Sequence, residues 1–295
     1  MVVVVEIRSV VHPYLDRFSV SFVLETGDLP VLVDTGLRST SALLQQVAPK
    51  ARAVLSTHGH WDHTGGHRLF QQLGAAVYGH PGDERLLRDR DFQWKLLYEQ
   101  FATDFDIPPQ RRTTYDQGVG DACFLDEPLA GGQELTFGEC RVQVLETPGH
   151  STGSVCFYLP REGVLFTGDT VCGEGFFGGL PQINHLESYL HTLEQLGRLS
   201  PRVVYSAHHR SALDREEYRQ LLEQGIACAL RLREYTRQFL QEAAPGFSVG
   251  DVARFLCRQE DRSGGSGACI TALACLESLK DRFPAAQTCC QGYLL

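Results

Sequence analysis

The chain has 295 residues and a net charge of −9, with 43% hydrophobic and 21% charged residues. That is an ordinary globular composition, long enough for one large domain or a core with an appendage. No run approaches the ~20 apolar residues of a membrane helix, and an acidic chain without a Lys/Arg patch is poorly suited to nucleic acid, so neither a membrane nor a nucleic-acid partner is expected.

The N-terminal run Val2 to Val5 lacks a preceding positive segment and ends at Glu6, so residues 2–10 read as a first strand, not a signal peptide, and a cytoplasmic location is expected. Strands are predicted over residues 19–25 and 30–33, the second ending at Asp34-Thr35-Gly36. Ser39 is placed as the cap of a helix with Leu43, Leu44 and Val47 on one face. A short apolar strand over 53–56 delivers Thr57-His58-Gly59-His60-Trp61-Asp62-His63, followed by Thr64-Gly65-Gly66, a helix over 67–73 and a strand over 75–78.

Residues 81–118 read as a helical insertion placed over that loop. Asp83 can cap a helix bearing Leu86, Leu87, Trp94, Leu97, Tyr98 and Phe101; Pro108-Pro109 stops it, and residues 111–121 read as loop. Strands resume over 123–125, 134–137, 142–145, 154–159 and 164–166. A Gly/Phe-rich loop over 172–182 precedes Asn184-His185-Leu186-Glu187, a capping-box pattern for a helix carrying Tyr189, Leu190, Leu193 and Leu196. After a strand over 203–205 the pattern is helical from Asp214 to about Gln241, broken at Pro245-Gly246, with further helices over 249–258 and 268–279. Ten cysteines without a CxxC read as reduced, small buried hydrophobes, and Cys289-Cys290 as part of a disordered tail.

The chemistry concentrates in His58 to His63, where three imidazoles and one carboxylate occupy six positions at the end of a strand. Neutral imidazole is the commonest metal ligand, and His with Asp suits zinc or iron better than magnesium or calcium. Packing does not explain the cluster, because apolar burial would leave these polar atoms unsatisfied. Trp61 is expected to pack beside the site, and His67 to cap or face solvent on the next helix. Three later strand ends carry ligand-type residues beside small ones: Thr147-Pro148-Gly149-His150, Thr167-Gly168-Asp169 and Ser206-Ala207-His208-His209.

On these residues the chain resembles the metallo-β-lactamase-fold hydrolase superfamily, in its hydroxyacylglutathione-hydrolase-like branch, over about residues 1–210. The anchors are Asp34-Thr35-Gly36, the run from His58 to Gly66, Pro148-Gly149-His150, Gly168-Asp169 and His208. The resemblance implies an α/β fold, an αβ/βα sandwich with the insertion at 81–118 and a C-terminal helical extension over 211–295. It also implies two divalent ions, zinc first, with iron or manganese as alternatives. His58, His60 and His150 would hold one ion, Asp62, His63 and His208 the other, and Asp169 would bridge them. His209 stands as the alternative to His208, because Ser206-Ala207 replaces the usual Pro-Gly.

The implied chemistry is attack by a bridging hydroxide on a small carbonyl substrate, with Asp62 orienting it or shuttling its proton. A carboxylate at Asp169 fits thioester, lactone or phosphodiester hydrolysis better than β-lactam cleavage. A thioester is the first expectation; a lactonase, an iron-dependent persulfide dioxygenase and a phosphodiesterase or nuclease are the alternatives. Asp34 is the candidate to hold a ligand imidazole, or serves only an Asx turn. Phe176 and Phe177 are expected to form a substrate-contacting lip. Trp94 and Tyr98 line a pocket or simply the buried face of their helix, and Arg85, Arg88 and Arg90 read as a solvated helix face.

Overall fold

The computed structural model describes residues 5–244 and 246–294. The beginning of the expected first strand, Val2 to Val4, and the helix break at Pro245 lie outside them. Two sheets face each other. One holds six strands in the order β1 (Glu6–Tyr14), β2 (Arg17–Glu25), β3 (Val31–Val33), β4 (Ala53–Leu55), β5 (Ala76–Gly79) and β6 (Glu127–Pro128). The other holds β7 (Glu134–Phe137), β8 (Cys140–Glu146), β9 (Val155–Leu159), β10 (Val164–Gly168) and β11 (Val203–Ser206), in the order β11-β10-β9-β8-β7.

Side-chain alternation along each strand makes the layers. Phe22, Leu24, Val33 and Leu55 point between the sheets and meet Val142, Val144, Phe157 and Phe166. Their neighbours Val23, Leu32 and Val54 point outward, under α1 (Ser41–Val47) and α3 (His67–Gln72). Between those helices, α2 (Trp61–Thr64) is a single turn inside the histidine loop. On the far face Cys156, Leu165 and Val204 point toward a cluster that includes the later helices. The result is the expected αβ/βα sandwich.

The insertion folds as α4 (Glu84–Arg88), α5 (Arg90–Leu97) and α6 (Pro109–Gly118). Beyond β10, α7 (Leu186–Leu196) packs on α8 (Arg215–Glu242), followed by α9 (Val249–Glu260), α10 (Ser266–Leu279) and α11 (Pro284–Cys290). Asp214 and Glu217 form a capping box at the start of α8, whose buried Leu222, Cys228, Ala229, Leu232 and Leu240 follow one helical face. Helix α10 is buried nearly all round, as its largely apolar sequence requires. No helix among the described residues is long and apolar enough to cross a membrane.

Several expectations are corrected. The first hairpin is longer than its apolar pattern, because β1 and β2 pair from Glu6↔Glu25 to Tyr14↔Arg17 around a two-residue turn with Leu15 at φ 51°. Ser39 lies inside a 3-10 turn and does not cap α1, and Leu43 is exposed. Residues 111–118 are helix, because Pro109 starts α6 at a position that needs no N–H. Cys123 to Leu125 form no strand; the Cys123 N–H donates to the Leu87 carbonyl of α4. The capping box at Asn184 does not form, since His185 occupies the cap position without a side-chain bond. Cys289 and Cys290 belong to α11, and Cys290 is buried.

His12 shows how tightly the site's support is packed. Its ring bonds Ser21 Oγ at 2.9 Å and Thr40 Oγ1 at 2.7 Å. A Cβ on Gly36, whose φ is +62°, would meet that ring at 2.2 Å. Burial, then the charge of His63, pushes the His12 pKa down to about 4. An unfolded chain protonates this imidazole near pH 6.5. The unfolded state therefore binds more protons between pH 6.5 and 4, and stability must fall with pH across that window. The contribution is about 1.4 kcal/mol per pH unit, or about 2 kcal/mol by pH 5. Urea unfolding at pH 7 and pH 5 should show a smaller loss in His12→Gln than in the parent chain; equal losses would contradict this.

Candidate metal centre and active site

The expected ligands come from separate chain segments and meet at one edge of the sandwich. The β4 strand end gives His58, His60, Asp62 and His63; the β8–β9 turn gives His150; β10 gives Asp169; β11 gives His208. All seven are buried. Donor atoms of His58, His60 and His150 lie within 4.8 Å of one another, as do those of Asp62, His63 and His208. Asp169 reaches both groups, with its carboxylate 3.6 Å from His150 Nε2, 3.4 Å from His63 Nε2 and 3.0 Å from His208 Nε2. His209 is outside the cluster, its ring 5.8 Å from Phe176. Gly168 lets β10 approach the histidine loop, since a Cβ at its φ of +50° would sit 2.6 Å from Thr57.

Outer partners fix the tautomers. Asp34, itself at φ 57°, accepts from the Thr57 N–H at 2.8 Å, from Thr57 Oγ1 at 2.7 Å and from His63 Nδ1 at 2.9 Å. The Thr57 hydroxyl proton is thereby used, so its oxygen accepts from His58 Nδ1 at 3.1 Å. His150 Nδ1 donates to the Gln182 carbonyl at 3.0 Å, and His208 Nδ1 to the Phe18 carbonyl at 2.6 Å. Each of these four rings turns its Nε2 inward, the nitrogen left to bind a cation once it carries no proton. His60 instead presents Nδ1, 3.0 Å from His150 Nε2. Three of the inward atoms, His58 Nε2, His63 Nε2 and Asp169 Oδ1, are sealed from solvent without a hydrogen-bond partner. Orphaned buried donor atoms are costly, and bare imidazole nitrogens facing carboxylates fit divalent metal ions.

The electrostatics point the same way. Burial first, then neighbouring imidazoles, drives the His58 pKa well below its usual value and that of His60 to about 3. Burial opposes charge on His63 and His208 too, but the Asp169 and Asp62 carboxylates outweigh it and raise both pKa values. Burial disfavours the two carboxylates, yet the His63 and His208 charges hold them ionised. The cluster thus demands positive charge at its centre, which divalent ions supply without protons on the ligands.

Other residues occupy places the sequence did not mark. The Tyr14 hydroxyl donates to Asp62 Oδ2 at 2.6 Å, across 48 residues. Asp83, expected as a helix cap, instead accepts from the Gly59 N–H at 2.8 Å, the Ser151 hydroxyl at 2.6 Å and the Gly153 N–H at 2.7 Å, tying two ligand loops together. His67 is not at the surface; it is fully buried and bonded to Thr35 Oγ1 at 2.8 Å. Trp61 packs edge-on against Tyr14 and donates to the Tyr98 hydroxyl at 3.1 Å.

A cavity of about 190 Å³ opens on the cluster, lined in part by Tyr14, Asp62, Tyr98, Phe176, Phe177 and Gln182. Phe176 and Phe177 rest 4.8 and 5.3 Å from the His208 ring. Trp94 is buried behind this wall against Tyr98 and Tyr115. Arg85 and Arg88 are away from the cavity, stacked on Phe92 and Phe124.

The model of a family described as the metallo-beta-lactamase superfamily matches residues 14–208. The chain is 27% identical over 198 residues to an atrochrysone carboxyl ACP thioesterase of Aspergillus fumigatus, covering 64% of this chain and 50% of that protein. It is 35% identical over 127 residues to a hydroxyacylglutathione hydrolase of Brucella ovis, covering 39% and 47%. The chain therefore spans about half the length of the curated relatives it matches. A crystal structure of a metallo-beta-lactamase family protein from Thermus thermophilus superposes with a TM-score of 0.75 at 24% identity, covering 94% of this chain and 93% of that one. That likeness, extending past residue 208, concerns the fold.

Removing Asp34 should unsettle the whole cluster. Asp34→Ala orphans the buried Thr57 N–H and releases His63, and should cost about 2–4 kcal/mol of stability. Asp34→Asn, which tolerates the left-handed backbone, should cost less but still weaken metal retention. Denaturant titration with metal analysis checks both; an unchanged midpoint in Asp34→Ala would contradict the network.

Proposed function

The chain belongs to the metallo-beta-lactamase superfamily, and from that membership we propose that it is a metal-dependent hydrolase of a small carbonyl substrate, a thioester in particular. The observation that carries this reading is the buried set of bare donor atoms on His58, His63 and Asp169, beside a cavity that Asp169, Asp62, His60, His150 and His208 line. His58, His60 and His150 would hold one divalent ion, and Asp62, His63 and His208 a second, with Asp169 shared; zinc is the metal best matched to this His/Asp set. When bound, such ions supply an acidified water as nucleophile and positive charge for the developing oxyanion.

The chain's own groups do the remaining work. Asp62 orients the attacking water and takes its proton. Tyr14, donating to Oδ2, fixes the plane of that carboxylate. Gln182 and Phe18 hold the His150 and His208 rings through their carbonyls and so keep the floor of the cavity rigid. Phe176, Phe177, Leu97 and Leu180 give the cavity part of its apolar lining, which lowers the local dielectric and strengthens the charges beside it.

The thioester assignment draws support from two relatives whose names describe thioester cleavage, an acyl-carrier thioesterase and a hydroxyacylglutathione hydrolase. It also suits the chemistry, because a thiolate leaves with a pKa near 8.5 and needs little help from a general acid.

Assayed against thioesters, lactones and phosphodiesters, the purified protein should cleave a thioester fastest. Asp169→Ala and His58→Ala should each lose more than the roughly 10–100-fold that follows loss of a supporting partner of a metal ligand. Turnover that survives both substitutions would refute the reading, and faster lactone cleavage would reassign the substrate.

A further inference from the structure

Two arginines line the cavity without a carboxylate partner. Arg17 opens β2, directly after the turn that follows Tyr14, and Arg111 lies in the first half of α6. Both are half-buried. Among the described residues, no carboxylate oxygen lies within 4.0 Å of either guanidinium. Many surface arginines of this chain are also unpaired; what sets these two apart is that they border the cavity that Asp62, Asp169 and His208 line. The Arg17 Nε is sealed from solvent with no hydrogen bond.

Arg17 is also held in place. The Arg17 guanidinium lies 5.6 Å from the centre of the Phe177 ring, which itself packs edge-on against Phe18 at 5.4 Å. Both arginines act on the same wall, where their charges oppose the rise that burial imposes on the Tyr98 hydroxyl pKa. The Trp61 indole donates to that hydroxyl, which keeps its own proton to give, and Tyr98 lines the cavity together with Arg17 and Arg111. A partly desolvated guanidinium without an anion is a standing cost, and a planar carboxylate is the partner its donor fork fits best.

We propose that Arg17 and Arg111, with the Tyr98 hydroxyl, form a subsite for a carboxylate carried by the substrate close to its scissile carbonyl. The proposal rests on the hydrolase reading above and names the substrate class within it, an anionic short-chain thioester. Shared lining sets the distance: Arg17, Arg111 and Tyr98 border the same cavity as Asp62 and Asp169. The anion and the reacting carbonyl must share it. The first turn of α10, Gly265 to Gly267, lines the same space and adds a favourable dipole.

The test compares thioesters of N-acetylcysteamine, a neutral thiol, bearing a succinyl or a butyryl group; a second arm compares butyryl thioesters of N-acetylcysteamine and 3-mercaptopropionate. The native protein should favour the succinyl substrate in kcat/KM by about 10–100-fold, the range expected for charge-assisted hydrogen bonds. That ratio should fall at least tenfold in Arg17→Gln and in Arg111→Gln, be partly kept in Arg111→Lys, and be unchanged in Arg198→Gln at the exposed end of α7. Calorimetric titration of the metal-loaded protein with glutarate provides a readout independent of turnover, and its Kd should weaken about tenfold in both glutamine variants.

An arginine-dependent preference found only in the second arm would support the subsite and assign the carboxylate to the thiol side. Arginine-dependent glutarate affinity without thioester cleavage would support the subsite and sink the hydrolase reading. Glutarate affinity and substrate ratios that ignore both arginines would overturn the proposal.

Discussion

Two carboxylates and five imidazoles are packed at the sandwich edge with almost no access to water, and the surrounding structure is arranged to make that tolerable. Burying such a set is expensive unless each donor and acceptor is engaged. Outward-facing nitrogens are therefore tied to fixed acceptors: Asp34 for His63, the Thr57 hydroxyl for His58, the Gln182 carbonyl for His150 and the Phe18 carbonyl for His208. The inward-facing ones are left for a cation. Geometry, tautomers and charge balance all follow from this one requirement.

The anchors are spread over the whole chain, which explains why distant elements serve one site. The β1–β2 hairpin brings Phe18 to His208 and Tyr14 to Asp62. The insertion contributes Asp83, which joins the Gly59 and Gly153 backbones, and Gln93, whose amide donates to the Gly59 carbonyl at 2.8 Å. The C-terminal helices take part as well. Thr271 of α10 donates to the Pro181 carbonyl at 2.6 Å and accepts from the Ile183 N–H at 3.1 Å, bracketing Gln182. A helix in the extension thus steadies the carbonyl that orients His150.

Much of this is legible in the sequence because it is local. Strands buried on both faces show as apolar runs, and the residues from His58 to His63 announce their chemistry by density alone. Alternation along an extended segment lets only one of His208 and His209 face the site, and the preference for His208 comes from its register in the resemblance. What is not legible depends on long-range pairing. Asp83 looks like a helix cap because its partners, Gly59 and Gly153, are 24 and 70 residues away. His67 looks exposed because nothing nearby reveals its bond to Thr35 across 32 residues. Tyr14, Arg17 and Arg111 carry no local signal; only the hairpin and the placement of α6 bring them to the cavity. The proline pair at 108–109 reads as a stop, although a proline at a helix start is equally a beginning.

The measurement that bears most directly on this account is the number of divalent ions bound per folded chain, determined by elemental analysis after native purification and again after zinc supplementation. On the proposed reading the protein binds two ions per chain, with Asp169→Ala holding fewer while remaining folded. A native protein that stays folded and binds less than one ion after supplementation would contradict the account at its centre.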